Sequence, residues 1–341
     1  MAVITQRPSG NWQAKVRRDG WPSQSKTFRT KAMAEQWARS TETSMDRGSF
    51  VSTSAAERTL FREVAERYAQ EYAQHHYRGK GWRFKLDRLV ERLGDYSVAA
   101  LTSDRVAWYR DERLADPDPR YKDSKTAPRV SGPTVKTELD LLSKVLDVAW
   151  KEFQITLPNG NPVHGIRKPR DSKSRERRLS NTEFDSVLDQ CSHSRNRWLR
   201  PAFDFSTFTA MRQAEQLALT WDLVDLDNCV AYLPTTKNGT PRAVPLSSKA
   251  VAILKDLPRS TDRRVFPQHK QTLYSAFKGA CKRAGVSDFT WHDLRHEALS
   301  RLASRGDLSV LELGAISGHK TLRVLKVYVQ MHAAELARKL G

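Results

Sequence analysis

The sequence predicts a mainly α-helical chain with small β elements: an N-terminal strand-and-helix module, a helical bundle and a mixed α+β domain. Three observations predict this. Apolar residues recur at helical spacing through the middle and end of the chain. Period-two alternation is confined to short stretches. A basic segment rich in Lys, Arg and Ser separates the bundle from the C-terminal domain. The length of 341 residues exceeds one small core and suits two or three domains. Lys plus Arg number 58 against 39 Asp plus Glu, a net charge of +19, and 39% apolar residues exclude a wholly disordered chain. That surplus points to a polyanion, nucleic acid ahead of a membrane surface. No run approaches the roughly 18 apolar residues of a membrane span. Met1–Gly10 lacks the apolar stretch of a secretory signal. The expected location is therefore the cytoplasm, with no membrane partner. Cys191, Cys229 and Cys281 are widely spaced, without a CxxC pair, and read as reduced thiols and not as metal ligands.

The first module spans 1–50. Trp12, Ala14 and Val16 alternate with Gln13, Lys15 and Arg17, the pattern of a half-buried strand. Asp19-Gly20 signals a hairpin and Ser25–Arg29 its partner strand. Thr30 is placed to cap a helix from Lys31 to about Met45, with Met33 and Trp37 on one face. Lys15 and Arg17 are candidate DNA contacts; a solvated sheet face is the ordinary alternative. Gly48–Ala56 is small and polar and reads as a linker.

Residues 57–155 read as a helical bundle. Phe61, Val64, Ala65, Tyr68 and Tyr72 recur at helix spacing, as do Trp82, Leu86, Leu89 and Leu93. Ser103 opens a helix through Val106, Tyr109 and Leu114, and Asp116–Pro133 reads as a loop. Val135, Leu139, Leu142, Leu146 and Ala149 then form a strong amphipathic stripe. The turn from His75 to Lys80 is basic, and Arg78 and Lys80 are candidate phosphate contacts. Residues 167–178, RKPRDSKSRERR, carry seven basic against two acidic residues. They read as a flexible strap in which Arg167, Lys168 and Arg170 lie along a phosphate backbone, or else as a merely solvated linker.

The third segment, 179–341, opens with a capping pattern at Ser180 and Glu183. Helices run through Val187–Leu188 and Ala202–Phe208. Val230–Pro245 forms a hairpin turning at Asn238-Gly239, with Lys237 at its tip, and helices resume after Leu246. This segment holds polar residues that make poor sense as packing. Arg212 sits at the mouth of a helix, with Glu215 one turn on to hold it. His292 and Arg295 share one face. His319 comes directly after a helix-ending Gly318, and Tyr328 nine residues later. Singly, each has an ordinary structural reading; the order and spacing of Arg212, Lys237, His292, Arg295, His319 and Tyr328 together do not.

The stretches TAMRQAEQLALTW, TKNGTPRAVPL, WHDLRHEALSR and ISGHKTLRVLKVY resemble the catalytic domain of the tyrosine recombinases, the phage integrases. The bundle is similar to the family's core-site-binding domain, and the N-terminal module resembles an arm-binding domain. YRDERLAD, TVKTELDLLSKVL and FTWHDLRHEALSR look most like integrases grouped with shufflon-type DNA invertases. The resemblance implies a site-specific recombinase working through a 3′-phosphotyrosine at Tyr328. Arg212, Arg295 and His319 would hold the phosphate oxygens. Lys237 would be the general acid and His292 a base or orienting group. Glu215 would be supporting only. Because the phosphotyrosine keeps the energy of the broken bond, no ATP, metal or other cofactor is expected. The resemblance also implies a homo-tetramer on two double-stranded DNA sites, with DNA-bending accessory proteins possible, and a terminal segment, Ala333–Leu340, packing on a neighbouring subunit. An integrase of a phage or mobile element is the expected role. A shufflon-type invertase, a type IB topoisomerase and a non-catalytic DNA-binding regulator are the rivals.

Overall fold

The computed structural model describes residues 2–48, 50, 52–172, 177–234, 240–259, 261–319 and 325. The chain packs as two units, Met1–Lys173 and Ser174–Gly341.

The first unit begins with an antiparallel sheet of β1 (Ala2–Gln6), β2 (Trp12–Val16) and β3 (Gln24–Phe28), in that order. β1 was not among the expected strands. Its alternation is weak, with Val3 exposed and Ile4 only half-buried. α1 (Lys31–Asp46) starts where the Thr30 side chain accepts from the Met33 N–H. Its buried stripe is Ala34, Ala38, Thr41 and Met45, closing on Ala14 and Val16. This corrects the expected Met33–Trp37 face. Met33 is 54% exposed, because small alanines let the helix lie close on the sheet, while Trp37 packs at the side against Phe28. The stretch read as a linker is partly packed. Ser52 and Ser54 donate to the Gln24 side chain, and Glu57 of α2 (Ser54–Arg58) pairs with Lys26 at 3.0 Å.

The bundle comes next. α3 (Phe61–Arg67) runs through a π-helical turn, Tyr68–Ala73, into α4 (Gln74–His76). The wider turn keeps Tyr68 and Ala73 both buried at a spacing of five, which a pure α-helix would not. α5 (Gly81–Leu93), α6 (Ser103–Ala115) and α7 (Gly132–Lys151) enclose Leu89, Leu93, Tyr109, Leu139, Leu142 and Leu146. A buried ion network crosses this core. Tyr109 Oη donates to Glu138 at 2.8 Å, and Arg113 bonds Glu138 through Nε and Nη2 at 3.0 and 2.8 Å. Arg113 also reaches Asp116, which Arg92 holds at 2.8 Å. The expected flexible strap starts pinned: the Arg167 carbonyl accepts from Arg110, Lys168 pairs with Asp140, and Asp171 pairs with Lys136. Two ion pairs to α7 and one hydrogen bond from α6 to a backbone carbonyl thus hold residues 167–171, and 173–176 lie outside the described residues.

In the second unit, α8 (Asn181–Ser192) has the reciprocal Ser180–Glu183 cap. α9 (Leu199–Thr209) and α10 (Gln213–Ala218) lead to an antiparallel sheet of β4 (Val224–Asp225), β5 (Val230–Leu233) and β6 (Arg242–Pro245). The expected turn Asn238-Gly239 lies outside the described residues. α11 (Ser248–Asp256), α12 (Lys270–Arg283), α13 (Trp291–Ser304) and α14 (Val310–Ser317) complete the unit around Phe203, Phe205, Phe266 and Phe277.

Candidate active site

Two helix ends shape the site. α9 stops at Ala210, which takes a left-handed φ of 50°, an unusual conformation for a residue with a Cβ. α14 stops at Gly318, left-handed at φ 70°. Helix C-termini present unsatisfied carbonyls and partial negative charge. Arg295 of α13, 3% exposed, uses both: Nη1 donates to the Ala210 carbonyl at 2.6 Å and Nη2 to the Ser317 carbonyl at 2.6 Å. These neutral acceptors fix the plane of the guanidinium without cancelling its charge.

Arg212 is the N-cap residue of α10, in extended conformation. Glu215 grips it twice, Oε1 accepting from Nη1 at 2.7 Å and Oε2 from the backbone N–H at 3.0 Å. Burial would raise the Glu215 pKa. The Arg242 charge and the hydrogen bonds from Arg212 and Arg242 outweigh it and hold the carboxyl below its ordinary range.

His319 closes the cluster. Its Nδ1 lies 2.7 Å from Ser317 Oγ and its Nε2 3.5 Å from Arg295 Nη2. A guanidinium only donates, so these partners assign the proton to Nδ1 and leave Nε2 as acceptor. Burial, then the charges of Arg295 and Arg212, with His296 and Arg242 beyond them, pushes the His319 pKa from 6.5 down to about 4. The ring is therefore neutral near pH 7. His292, exposed at the start of α13, stands edge-on to His296 with ring centroids 5.0 Å apart. The half-buried His296 has its pKa lowered by burial and then by His292, against the opposing pull of Asp293.

Arg212, Glu215, Arg295 and His319 are thus brought together, with His292 one helical turn from Arg295. Lys237 and Tyr328, the expected acid and nucleophile, lie outside the described residues, as does the terminal segment Ala333–Leu340. The candidate DNA contacts belong to the first unit. Lys15 is half-buried on β2 and Arg17 is exposed just beyond it. Arg78, Lys80, Arg167 and Arg170 are exposed, and Lys168 pairs with Asp140. Among the described residues, no group of three or more His, Cys, Asp or Glu side chains is placed to hold a metal ion.

Sequence reasoning passed over Arg242, Ser317 and His296. Arg242 had a readable sign: on β6 it shares the face of buried Val244 two residues on, an odd place for a cation unless it has a partner inside.

The mixed α+β unit thus gathers the guanidiniums of Arg212, Arg242 and Arg295 and the His319 imidazole around two helix ends. Residues 177–335 match the phage integrase family. The chain is 38% identical over 267 residues to a shufflon-specific DNA recombinase of Escherichia coli, covering 78% of this chain and 67% of that protein. It is 25% identical over 230 residues to the integrase of Salmonella phage P22, covering 61% and 57%. Its fold is similar to that of lambda integrase, solved as a dimer bound to a COC′ core site, with a TM-score of 0.62 at 20% identity over 96% and 94% of the two chains. The chain belongs to the phage integrase family, the tyrosine recombinases. It is a site-specific DNA recombinase.

Proposed function

We propose that this recombinase transfers the scissile phosphate to Tyr328 and back, with the other site residues in the roles their chemistry suits. The observation that carries the reading is Arg295, buried on two neutral helix-end carbonyls beside His319. The Tyr328 oxygen attacks phosphorus and the bond to the 5′ oxygen breaks. The phenolic proton passes to His292, and Lys237 protonates the departing oxygen. Arg212 and Arg295 hold the equatorial oxygens, where preorganised donors are worth about 3–4 kcal/mol each, and His319 joins them once the bound phosphate raises its pKa and a proton is taken up on Nε2. Reversal by a new 5′ hydroxyl reseals the strand with no cofactor.

In this reading 1–50 binds arm-type sites, 57–155 binds core sites, and 179–341 carries the chemistry. The basic charge of 167–178 adds to the attraction for the phosphate backbone. Lys15, Arg17, Arg78, Lys80, Arg167, Lys168 and Arg170 contribute phosphate contacts, so affinity falls steeply with salt. Four copies act on two specific DNA sites in the cytoplasm, with DNA-bending accessory proteins, to integrate or excise a phage or mobile element. The 38% identity to a shufflon-specific recombinase favours a second reading, inversion between inverted sites. The same chemistry serves both, and site orientation decides.

A nicked suicide substrate tests the core of this. Wild type should leave a denaturant-stable DNA–protein band whose linkage maps by mass spectrometry to Tyr328, and Tyr328→Phe should leave none. A band that persists in Tyr328→Phe refutes the nucleophile. Absence of any band from wild type leaves a DNA-binding regulator, and relaxation of plasmids lacking specific sites points to a topoisomerase.

A further inference from the structure

We infer that Arg242 is a positioning residue that sets the phosphate pocket by tying three separate segments of the catalytic unit together. The inference rests on the reading that Arg212 and His319 hold the phosphate. Arg242 opens β6 and its side chain is 11% exposed. Nη2 donates to Glu215 Oε2 at 2.7 Å, and Nη1 donates to the Ile316 carbonyl in the last turn of α14. Its stem covers Gly318: a Cβ on that glycine would stand 2.8 Å from Arg242 Cδ and Nε. Residue 318 is thus glycine for two reasons, its left-handed φ and this wall.

Each contact bears on a group that meets the phosphate. Glu215 Oε2 accepts from both Arg242 and the Arg212 backbone, so the carboxylate that aims Arg212 is itself held from behind. Ile316 and Gly318 flank Ser317, whose carbonyl anchors Arg295 and whose hydroxyl meets His319. Nη1 and Nη2 are each engaged by a protein acceptor, and Nε is buried with no hydrogen-bond partner among the described residues. Because its contacts run to Glu215 behind Arg212 and to the 316–318 turn behind His319, Arg242 is inferred to support those two residues and not to act on the substrate. Removing it frees the back of Glu215 and the wall of the 316–319 turn together. The position is specific for a guanidinium, whose rigid fork spans two acceptors that an ammonium cannot hold in one plane.

The test is single-turnover cleavage of a suicide core site by full-length Arg242→Gln and Arg242→Lys, beside DNA affinity and thermal melting. Both variants should bind DNA as wild type does and cleave about a hundredfold more slowly, the usual cost of misplacing reacting groups by an ångström. A 5′-phosphorothiolate leaving group, which needs no proton, should restore Lys237→Ala and leave the Arg242 variants slow. The double variant Arg242→Gln/Glu215→Gln should lose less than the two singles combined, since the two residues share one of the routes by which Arg242 acts. Wild-type cleavage by folded Arg242 variants overturns the inference. So do rescue by phosphorothiolate, which moves Arg242 to the leaving-group side, and strictly additive losses with Glu215→Gln. Should Arg242→Gln melt below the assay temperature, Arg242→Lys decides by the same measurements. Absence of an adduct from wild type, by contrast, removes the underlying reading and this inference with it, an outcome distinct from the failures above.

Discussion

In the helical bundle, Arg113 and Arg92 meet Glu138 and Asp116, two guanidiniums against two carboxylates. Around the ends of α9 and α14, Arg212 and Arg242 divide one carboxylate, Glu215, and Arg295 rests on the Ala210 and Ser317 carbonyls. The same side chain is buried in both places to opposite ends. Full pairing in the bundle makes the arginines part of the fold. Sharing of one carboxylate in the second unit stores positive charge where helix dipoles help make burial bearable. In the proposed reading a phosphodiester completes the second cluster, whereas the charges of the first are already matched one for one.

The largest expected effect falls on the bundle. Arg113→Ala strands the buried Glu138 carboxylate and should cost about 3–5 kcal/mol, read from urea unfolding. The folded fraction should cleave normally; a cleavage defect without loss of stability would erase the distinction between the clusters. Next comes Arg295→Gln, which should lower single-turnover cleavage at least about a hundredfold while DNA binding persists, since it removes a preorganised donor. If it melts the protein instead and leaves cleavage intact, Arg295 is a fold residue like Arg113. Gly318→Ala ranks third. The left-handed conformation costs a Cβ-bearing residue about 1–2 kcal/mol, and the encroachment on Arg242 adds to it. Thermal melting measures the first part, and slower cleavage at full DNA occupancy measures the second.

The last test concerns pH. His319 titrates near 6.5 when unfolded and at about 4 when folded, so the unfolded chain binds the extra proton between those values. The native state is favoured above pH 6.5, and that advantage drains away as pH falls toward 4. His319→Gln should flatten this part of a plot of urea midpoint against pH. Bound DNA should reverse the trend, because an anion among these cations raises the imidazole pKa. Proton uptake on core-site binding at pH 6, measured by calorimetry in buffers of different ionisation heat, should shrink in His319→Gln.

Much of this was legible because local chemistry and tertiary use agree. Ser180 and Glu183 cap α8, and the stripe from Val135 to Ala149 faces the bundle core. Gly318 ends α14, and Glu215 reaches Arg212 one turn back. What escaped depends on partners remote in sequence. Ile4 and Ala2 alternate too faintly to announce β1, which is fixed by pairing with β2. The π turn at Tyr68–Ala73 changes a helical phase that the spacing of Tyr68 and Tyr72 leaves intact. Residues 167–171 look loose by composition and are held by Asp140, Lys136 and Arg110 of other helices. Ala210 carries no sign of a left-handed backbone, and the Arg295 that meets its carbonyl lies far along the sequence. Arg242 looks like a hairpin charge until Ile316 and Glu215 close on it.

The acceptors that orient Arg295 come from positions 210 and 317, on either side of the helix that bears it. A ribosome must therefore release most of the second unit before Arg295 has both acceptors. A chain truncated before α14 lacks the Ser317 carbonyl and, in the proposed reading, one support of its phosphate site. Spreading the acceptors across distant segments makes the seating of this guanidinium a late event in the chain's synthesis.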